Sequence, residues 1–336
     1  MKKILTIALL LIAINAQGQG LPVAANATLA SLFSDPNLRI ALARQLGIDN
    51  NLTGQALSNR LARITHLYAR NMNIINATGI RYLTNLTTLN LEGNYLANLD
   101  VSTLSRLTTL EVTRNNLVHI DISNNVNLTT LDVRFNQLTN IDLSNNVNLI
   151  ILDVSFNQLT NIDVSSNINL TTLNASINRR LANIDVSNNI NLTTLTVGGN
   201  SLITNIDVSN NINLTTLNVG SNELTHIDVS NNVNLTTLSV RFNQLTHIDV
   251  SNNINLTTLD VGGNALTTLD ISKLTNLGRL EIDNTLLTLI DISNNPNIGI
   301  IYMEGTVFAA AILAGTPEMA VEGFVGFRDE IVLMIW

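Results

Sequence analysis

The chain has 336 residues, enough for two average domains or one long repeat array, and only 12% of them are charged, where about 25% is usual. It contains no cysteine, which excludes disulfide caps, thiolate metal sites, a cysteine nucleophile and a cysteine-borne lipid anchor. The net charge of −8 is uneven: residues 21–84 hold six Arg against two acids, and residues 85–304 nineteen acids against eight bases, which argues against nucleic acid as the main partner.

At the N-terminus, Met1-Lys2-Lys3 is followed by an apolar run from Ile4 to Ile14 and by the small residues Ala16 and Gly18. Residues 1–18 therefore read as a secretory signal peptide, too short to span a bilayer as a mature helix, with a buried N-terminal strand as the alternative. Residues 19–62 read as a helical cap. Asp35 is an N-cap before Pro36, and Leu38, Ile40, Leu42 and Leu46 supply apolar residues until Gly47 ends the helix; Thr53 is expected to cap a second one through Leu61.

Residues 63–304 are a repeat array. Units close to NLTTLDVRFNQLTNIDLSNNV begin at Asn85, Arg106, Asn127, Asn148, Asn169, Asn191, Asn213, Asn234, Asn255 and Asn276, after a degenerate unit at 63–84. Each unit has two halves in which apolar and polar residues alternate, as in Leu131-Asp132-Val133 and Ile141-Asp142-Leu143, followed by Asn suited to a turn. The pattern predicts two short parallel strands per coil, with coils stacking about 4.8 Å apart, so that eleven span roughly 50 Å. In the coil from Asn127, the residues predicted to point inward are Leu128, Leu131, Val133, Leu138, Ile141, Leu143 and Val147. Asn94, Asn115, Asn136, Asn157, Asn178, Asn200, Asn222, Asn243 and Asn264 are predicted to form an inward ladder that Thr285 interrupts. Residues 305–336 do not repeat and read as a C-terminal cap or tail, with no segment long enough to cross a membrane.

Leu128, Leu131, Val133, Asn136 and Leu138 fill the slots of the unit L-x-x-L-x-L-x-x-N-x-L, so the array resembles the leucine-rich-repeat family. The fold expected is a leucine-rich-repeat solenoid, β-rich with parallel strands on successive coils, carrying a small α-helical N-terminal cap. The stretch LFSDPNLRIALARQLG and the segment after it resemble the cap and first repeat of bacterial internalins, although the repeats here are one residue shorter and carry the extra IDVSNN segment. That resemblance implies an adhesin that binds a host protein; the different repeat prevents transfer of binding residues.

No catalytic constellation is present. His119, His226 and His247 share one slot and read as exposed polar residues more readily than as a metal pair, and no Ser lies in a GxSxG elbow. The column Asp100, Asp121, Asp142, Asp163, Asp185, Asp207, Asp228, Asp249, Asp270 and Asp291 needs compensation, because unit charges about 5 Å apart repel by roughly 0.8 kcal/mol even in water. Hydrogen bonds from adjacent Ser and Asn are the expected source; calcium between coils is the alternative, without the GGxGxDx signature. No metal or cofactor is expected.

The concave strand is the expected binding face. Arg134, Phe135, Ile151 and Phe156, with Asp132 and Asp153 beside them and Ile177 in the next coil, form an aromatic and aliphatic cluster flanked by charge, with Arg241 and Phe242 as a smaller second instance. The competing reading is that these Phe pack along the turn ridge. The expectation is a non-enzymatic, secreted or cell-surface module that binds a host or neighbouring-cell protein. The alternatives are a structural envelope or matrix protein and, with less support, ice binding by the Thr column at 88, 109, 130, 172, 194, 216, 237 and 258.

Overall fold

A computed structural model describes residue 21 and residues 23–47, 51–306 and 332–334. The expected signal peptide lies outside the described residues, as does most of 305–336. The described residues fall into two units that divide between Gln158 and Leu159, while the sequence repeat runs through the division.

The first unit begins with three helices, α1 (Leu29–Leu32), α2 (Pro36–Leu46) and α3 (Gly54–Leu61). Thr28 and Ser31 make a reciprocal capping box on α1. Asp35 caps α2 by accepting from the N–H groups of Asn37 (2.9 Å) and Leu38 (3.1 Å), and Gly47 ends it at φ 57°, a left-handed conformation that costs glycine nothing. Thr53 stands at the N-cap of α3 but its side chain makes no cap hydrogen bond. The second carboxylate oxygen of Asp35 accepts from the N–H groups of Ile75 (2.8 Å) and Asn76 (3.1 Å), so one buried side chain ties the cap to the first coil.

The coils follow. The first unit holds β1 (His66–Tyr68), β2 (Thr88–Asn90), β3 (Thr109–Glu111), β4 (Thr130–Asp132) and β5 (Ile151–Asp153), parallel and in sequence order with one strand per coil. The second holds β6 (Thr172–Asn174), β7 (Thr194–Thr196), β8 (Thr216–Asn218), β9 (Thr237–Ser239), β10 (Thr258–Asp260), β11 (Arg279–Glu281) and β12 (Ile300–Tyr302), likewise parallel. A last strand, β13 (Val332–Met334), pairs antiparallel with β12. The middle residue of each coil strand is buried and its neighbours are at least partly exposed, except Asn90 on β2 and Asp260 on β10, which are buried. This is the half-buried alternation that the sequence carries.

The expected second strand of each coil does not form. On that side the described residues carry isolated bridge residues in place of strands: Asp100 pairs with Asp121, and Asp291 is a bridge residue as well. The reason is local: each Asp of the column turns its carboxylate onto the backbone N–H two residues ahead, as Asp142 does with Ser144 at 2.9 Å, and the chain then enters two consecutive turns. These turns are closed by Asn146 N–H to Leu143 C=O (3.0 Å) and Leu149 N–H to Asn146 C=O (3.1 Å). They aim Asn146 into the core, fully buried, and leave Val147, a central residue of the second turn, 45% exposed. The inward assignment of Val147 is therefore wrong, whereas Leu128, Leu131, Val133, Leu138, Ile141 and Leu143 are buried. The same inversion repeats at Ile168, Ile190, Ile212, Val233 and Ile254, which form an exposed aliphatic column.

Asparagine holds the coils together in several columns. In the expected ladder, Asn136 Nδ2 donates to Val112 C=O of the preceding coil and to Val133 C=O of its own, both at 3.0 Å, while its Oδ1 accepts from Leu117 N–H at 3.0 Å. Thr285 closes that ladder: its buried hydroxyl reaches only Ile282 C=O of its own coil. A second buried column runs through Asn125, Asn146, Asn189, Asn211, Asn232, Asn253 and Asn295, where Asn232 Nδ2 donates to Val208 C=O (3.0 Å) and Asn211 C=O (2.9 Å). A third, exposed column includes Asn148, which donates to Val126 C=O at 3.0 Å. The run SNNxN thus serves coil-to-coil bonding at nearly every Asn.

Candidate functional site

On the sheet face each coil presents two outward strand residues, then the residue two positions further on, then a turn residue in the left-handed region. That turn residue is Gly93, Gly199, Gly263 or Gly305 in some coils, but Arg114, Phe135, Phe156, Ile177, Ser221, Phe242 and Asn284 in others, with φ between 50° and 56°. A non-glycine residue there costs on the order of 1–2 kcal/mol, and a β-branched one such as Ile177 is an outlier. Phe135, Phe156 and Phe242 therefore stand not on the strand itself but on the turn ridge at its end.

In the first unit, Phe135 and Phe156 stack with centroids 4.0 Å apart and planes 15° apart, and the Arg114 guanidinium lies 5.4 Å from the Phe135 centroid. The stack covers ring faces, yet Phe135 keeps 37% and Phe156 38% of its surface exposed. Beside them Arg134 spans the two strands, with Nε 3.2 Å from Asp132 Oδ2 and Nη1 3.7 Å from Asp153 Oδ2. Burial holds the Asp132 carboxyl above the usual carboxylate range, against the Arg134 N–H that donates to it. Ile151 is exposed at the start of β5, two residues before Asp153 on the same face and in register with Thr130. Arg134 thus joins Asp132 and Asp153, and Phe135 stacks on Phe156, while Ile151 stands exposed on the strand face. Ile177 lies in the second unit, half-buried, where its side chain covers Gly199.

In the second unit, the Arg241 guanidinium lies 4.5 Å from the Phe242 centroid, and the Phe242 ring lies over Gly263 of the next coil, filling the space a Cβ there would need. Arg241 also reaches three carboxylates, Asp260 at 3.8 Å, Glu281 at 3.5 Å and Asp283 at 3.4 Å. Asp260 is buried, accepts from Ser239 Oγ (2.9 Å) and from Gly262 N–H (3.2 Å), and is pushed up to about 6 by burial and by the neighbouring Glu281 charge. Glu281 also accepts from Arg279 Nε at 2.7 Å, and Arg279 lies over the Tyr302 ring. Sequence reading found Arg241 and Phe242 but missed the acids. Their signal is columnar: Asp260 and Glu281 share one slot in adjacent coils, and Asp283 shares the slot of Arg241 two coils on.

The long Asp column is compensated as the hydrogen-bond reading expected. All ten carboxylates accept from the backbone N–H of the Ser two residues ahead at 2.8–3.0 Å. The Ser hydroxyl and N–H hold Asp121, Asp163 and Asp207 below the usual range. Asp260, Glu281 and Asp283 bring carboxylate oxygens within 4.8 Å of one another, a cation-like donor set, but the Arg241 guanidinium already reaches all three. Chelator is accordingly expected to move the melting temperature by no more than about a degree or two, since hydrogen bonds already serve the column and Arg241 already serves the three-acid cluster, which leaves little for an ion to add by linkage. A large, reversible loss on chelation, measured by calorimetry, would refute this.

One parallel strand per coil and a buried ladder of Asn repeated from coil to coil define a leucine-rich-repeat protein, and the Leucine Rich repeat model matches residues 124–144, 145–166, 210–230 and 252–274. The chain is a leucine-rich-repeat protein that resembles the internalins of Listeria. It is similar to the functional domain of InlJ from Listeria monocytogenes, at 34% identity over 90% of this chain and 64% of that one, with a TM-score of 0.80. It is also similar to an internalin (inlF) of the same organism, at 25% identity, 88% and 96% coverage and a TM-score of 0.68. A leucine-rich-repeat protein of Leptospira interrogans shares the fold, at 23% identity, 70% and 71% coverage and a TM-score of 0.61. Among curated proteins none matches this sequence. The InlJ domain is described as including a cysteine ladder; this chain has no cysteine, and its ladders are asparagine. Internalin-like domains of this kind are typically protein-binding and non-catalytic, and no helix among the described residues is long and apolar enough to cross a membrane.

Proposed function

We propose that the chain is a secreted or surface-displayed module that binds a host or neighbouring-cell protein. Contact is made through the sheet face and ridge of the first unit around Asp132, Arg134, Phe135, Ile151, Asp153 and Phe156; the second unit carries candidate contacts of its own at Ile177, Arg241 and Phe242. The observation that carries the reading is the ridge. Bulky side chains occupy a left-handed slot that glycine fills elsewhere in the array, and they remain more than a third exposed after stacking on one another. Aromatic surface kept open at a backbone cost, beside an Arg held in place by two acids, has the composition of a binding hot spot. Export follows from residues 1–18 read as a signal peptide and from the likeness to internalins.

Phe156→Asp separates binding from packing. Asp tolerates the left-handed region better than Phe, so the loss of the stack is partly offset and the urea midpoint is expected to change little. Capture of a host-surface protein should weaken by about 2 kcal/mol, roughly thirtyfold, as for a buried aromatic anchor, while Thr216→Asp in a Thr-rich coil leaves it nearly unchanged. Destabilisation by several kcal/mol in Phe156→Asp would mean the ring serves only the ridge, and the hot-spot assignment would fall.

A further inference from the structure

The sheet face of the second unit holds a group of charges that the ridge reading leaves unexplained. Five ionisable side chains from adjacent coils meet there: Arg241 after β9, Asp260 on β10, Arg279 and Glu281 on β11, and Asp283 after it. The charged and titratable groups facing Asp260 are Arg241 from the β9 coil and Arg279, Glu281 and Asp283 from the β11 coil; Tyr302 on β12 lies beyond, against Arg279. Two cations face three carboxylates, which leaves one excess negative charge on a half-buried surface. Asp260 is the innermost of the three, with only 9% of its side chain exposed against 12% and 14% for the others. It also sits farthest from the guanidinium, at 3.8 Å, so Arg241 favours the outer pair.

We propose that this cluster is a proton-operated switch, in which Asp260 takes up one proton in mildly acidic surroundings, hands Arg241 wholly to Glu281 and Asp283, and removes the excess negative charge from this part of the binding face. As a regulator of binding it rests on the reading of the sheet face as the docking surface; as a property of the protein alone it does not. The carboxyl value near 6 supports it, burial being the larger cause and the Glu281 charge the second. The sign is fixed. Asp260 holds its proton more tightly folded than unfolded, so its ionisation costs the fold, and stability present below the folded value is lost as pH rises through about 6. The Asp column behaves oppositely: its depressed carboxyls contribute stability at neutral pH that is lost only as pH falls below 3.8. The two windows do not overlap.

Carboxyl-carbon NMR titration of the protein without any partner tests this. Asp260 is expected to titrate with a midpoint near 6 while Asp207 stays below 3.8, and Glu281→Gln should lower the Asp260 midpoint. The wild-type melting temperature should rise by roughly 2–4 °C between about pH 7.5 and 5, and Asp260→Asn should reduce that rise, the buried Asp132 keeping a part of it. An Asp260 midpoint at or below 4, or an Asp260→Asn protein that keeps the full rise, overturns the switch. Neither result bears on Phe156→Asp, so this inference and the binding reading fail separately.

Discussion

Asn157→Ala is expected to lower stability by about 1–3 kcal/mol, and the neighbouring-coil change Asn145→Ala much less. Asn157 is buried, donates to Val133 C=O and Val154 C=O at 3.0 Å each, and accepts from Leu138 N–H at 3.0 Å. Alanine leaves those groups of two coils without a partner in a core that water does not reach, which is the costly direction of hydrogen-bond loss. Asn145 makes one exposed bond, 3.2 Å to Ser123 C=O, and water replaces it. Because each repeat is stabilised by its neighbours, the loss at Asn157 should also reduce the cooperativity of unfolding. Urea melts of the two variants decide the matter, and equal losses would show that the inward and outward assignments are wrong.

Asp35→Ala should be at least as damaging, about 3 kcal/mol, because one carboxylate serves four backbone N–H groups in two elements. Burial alone would raise this carboxyl, but those four N–H groups outweigh it and hold it below the ordinary value. Its contribution is therefore complete at neutral pH and is lost as pH falls through the depressed value. Asp35→Asn should recover less than half, since the amide that replaces one oxygen faces two N–H donors. Hydrogen exchange locates the defect: faster exchange at Ile75 and Asn76 is expected. Unchanged protection there would mean that the cap and the first coil are held by apolar packing, chiefly Phe33 and Leu38, without this link.

Much of the molecule is determined by sequence alone, because local chemistry and a period close to 21 residues suffice for it. The Leu and Val of each coil, the ladder from Asn94 to Asn264, the Asp35-Pro36 helix start and its Gly47 stop all depend on groups a few residues apart or on the simple repetition of one unit. Other features were decided only in three dimensions. Alternation in Ile141-Asp142-Leu143 suggests a strand, but the Asp142 carboxylate captures the Ser144 N–H and the chain turns instead of pairing. Asn146 and Val147 exchange their expected places because two turns share Asn146, and the backbone, not hydropathy, sets which side chain points inward. The sequence allowed the Phe residues either to stand on the strand face or to pack along the turn ridge, and their left-handed φ places them on the ridge. The cluster of Arg241 with Asp260, Glu281 and Asp283 joins residues up to 42 positions apart, and the burial that perturbs Asp260 exists only once three coils have stacked.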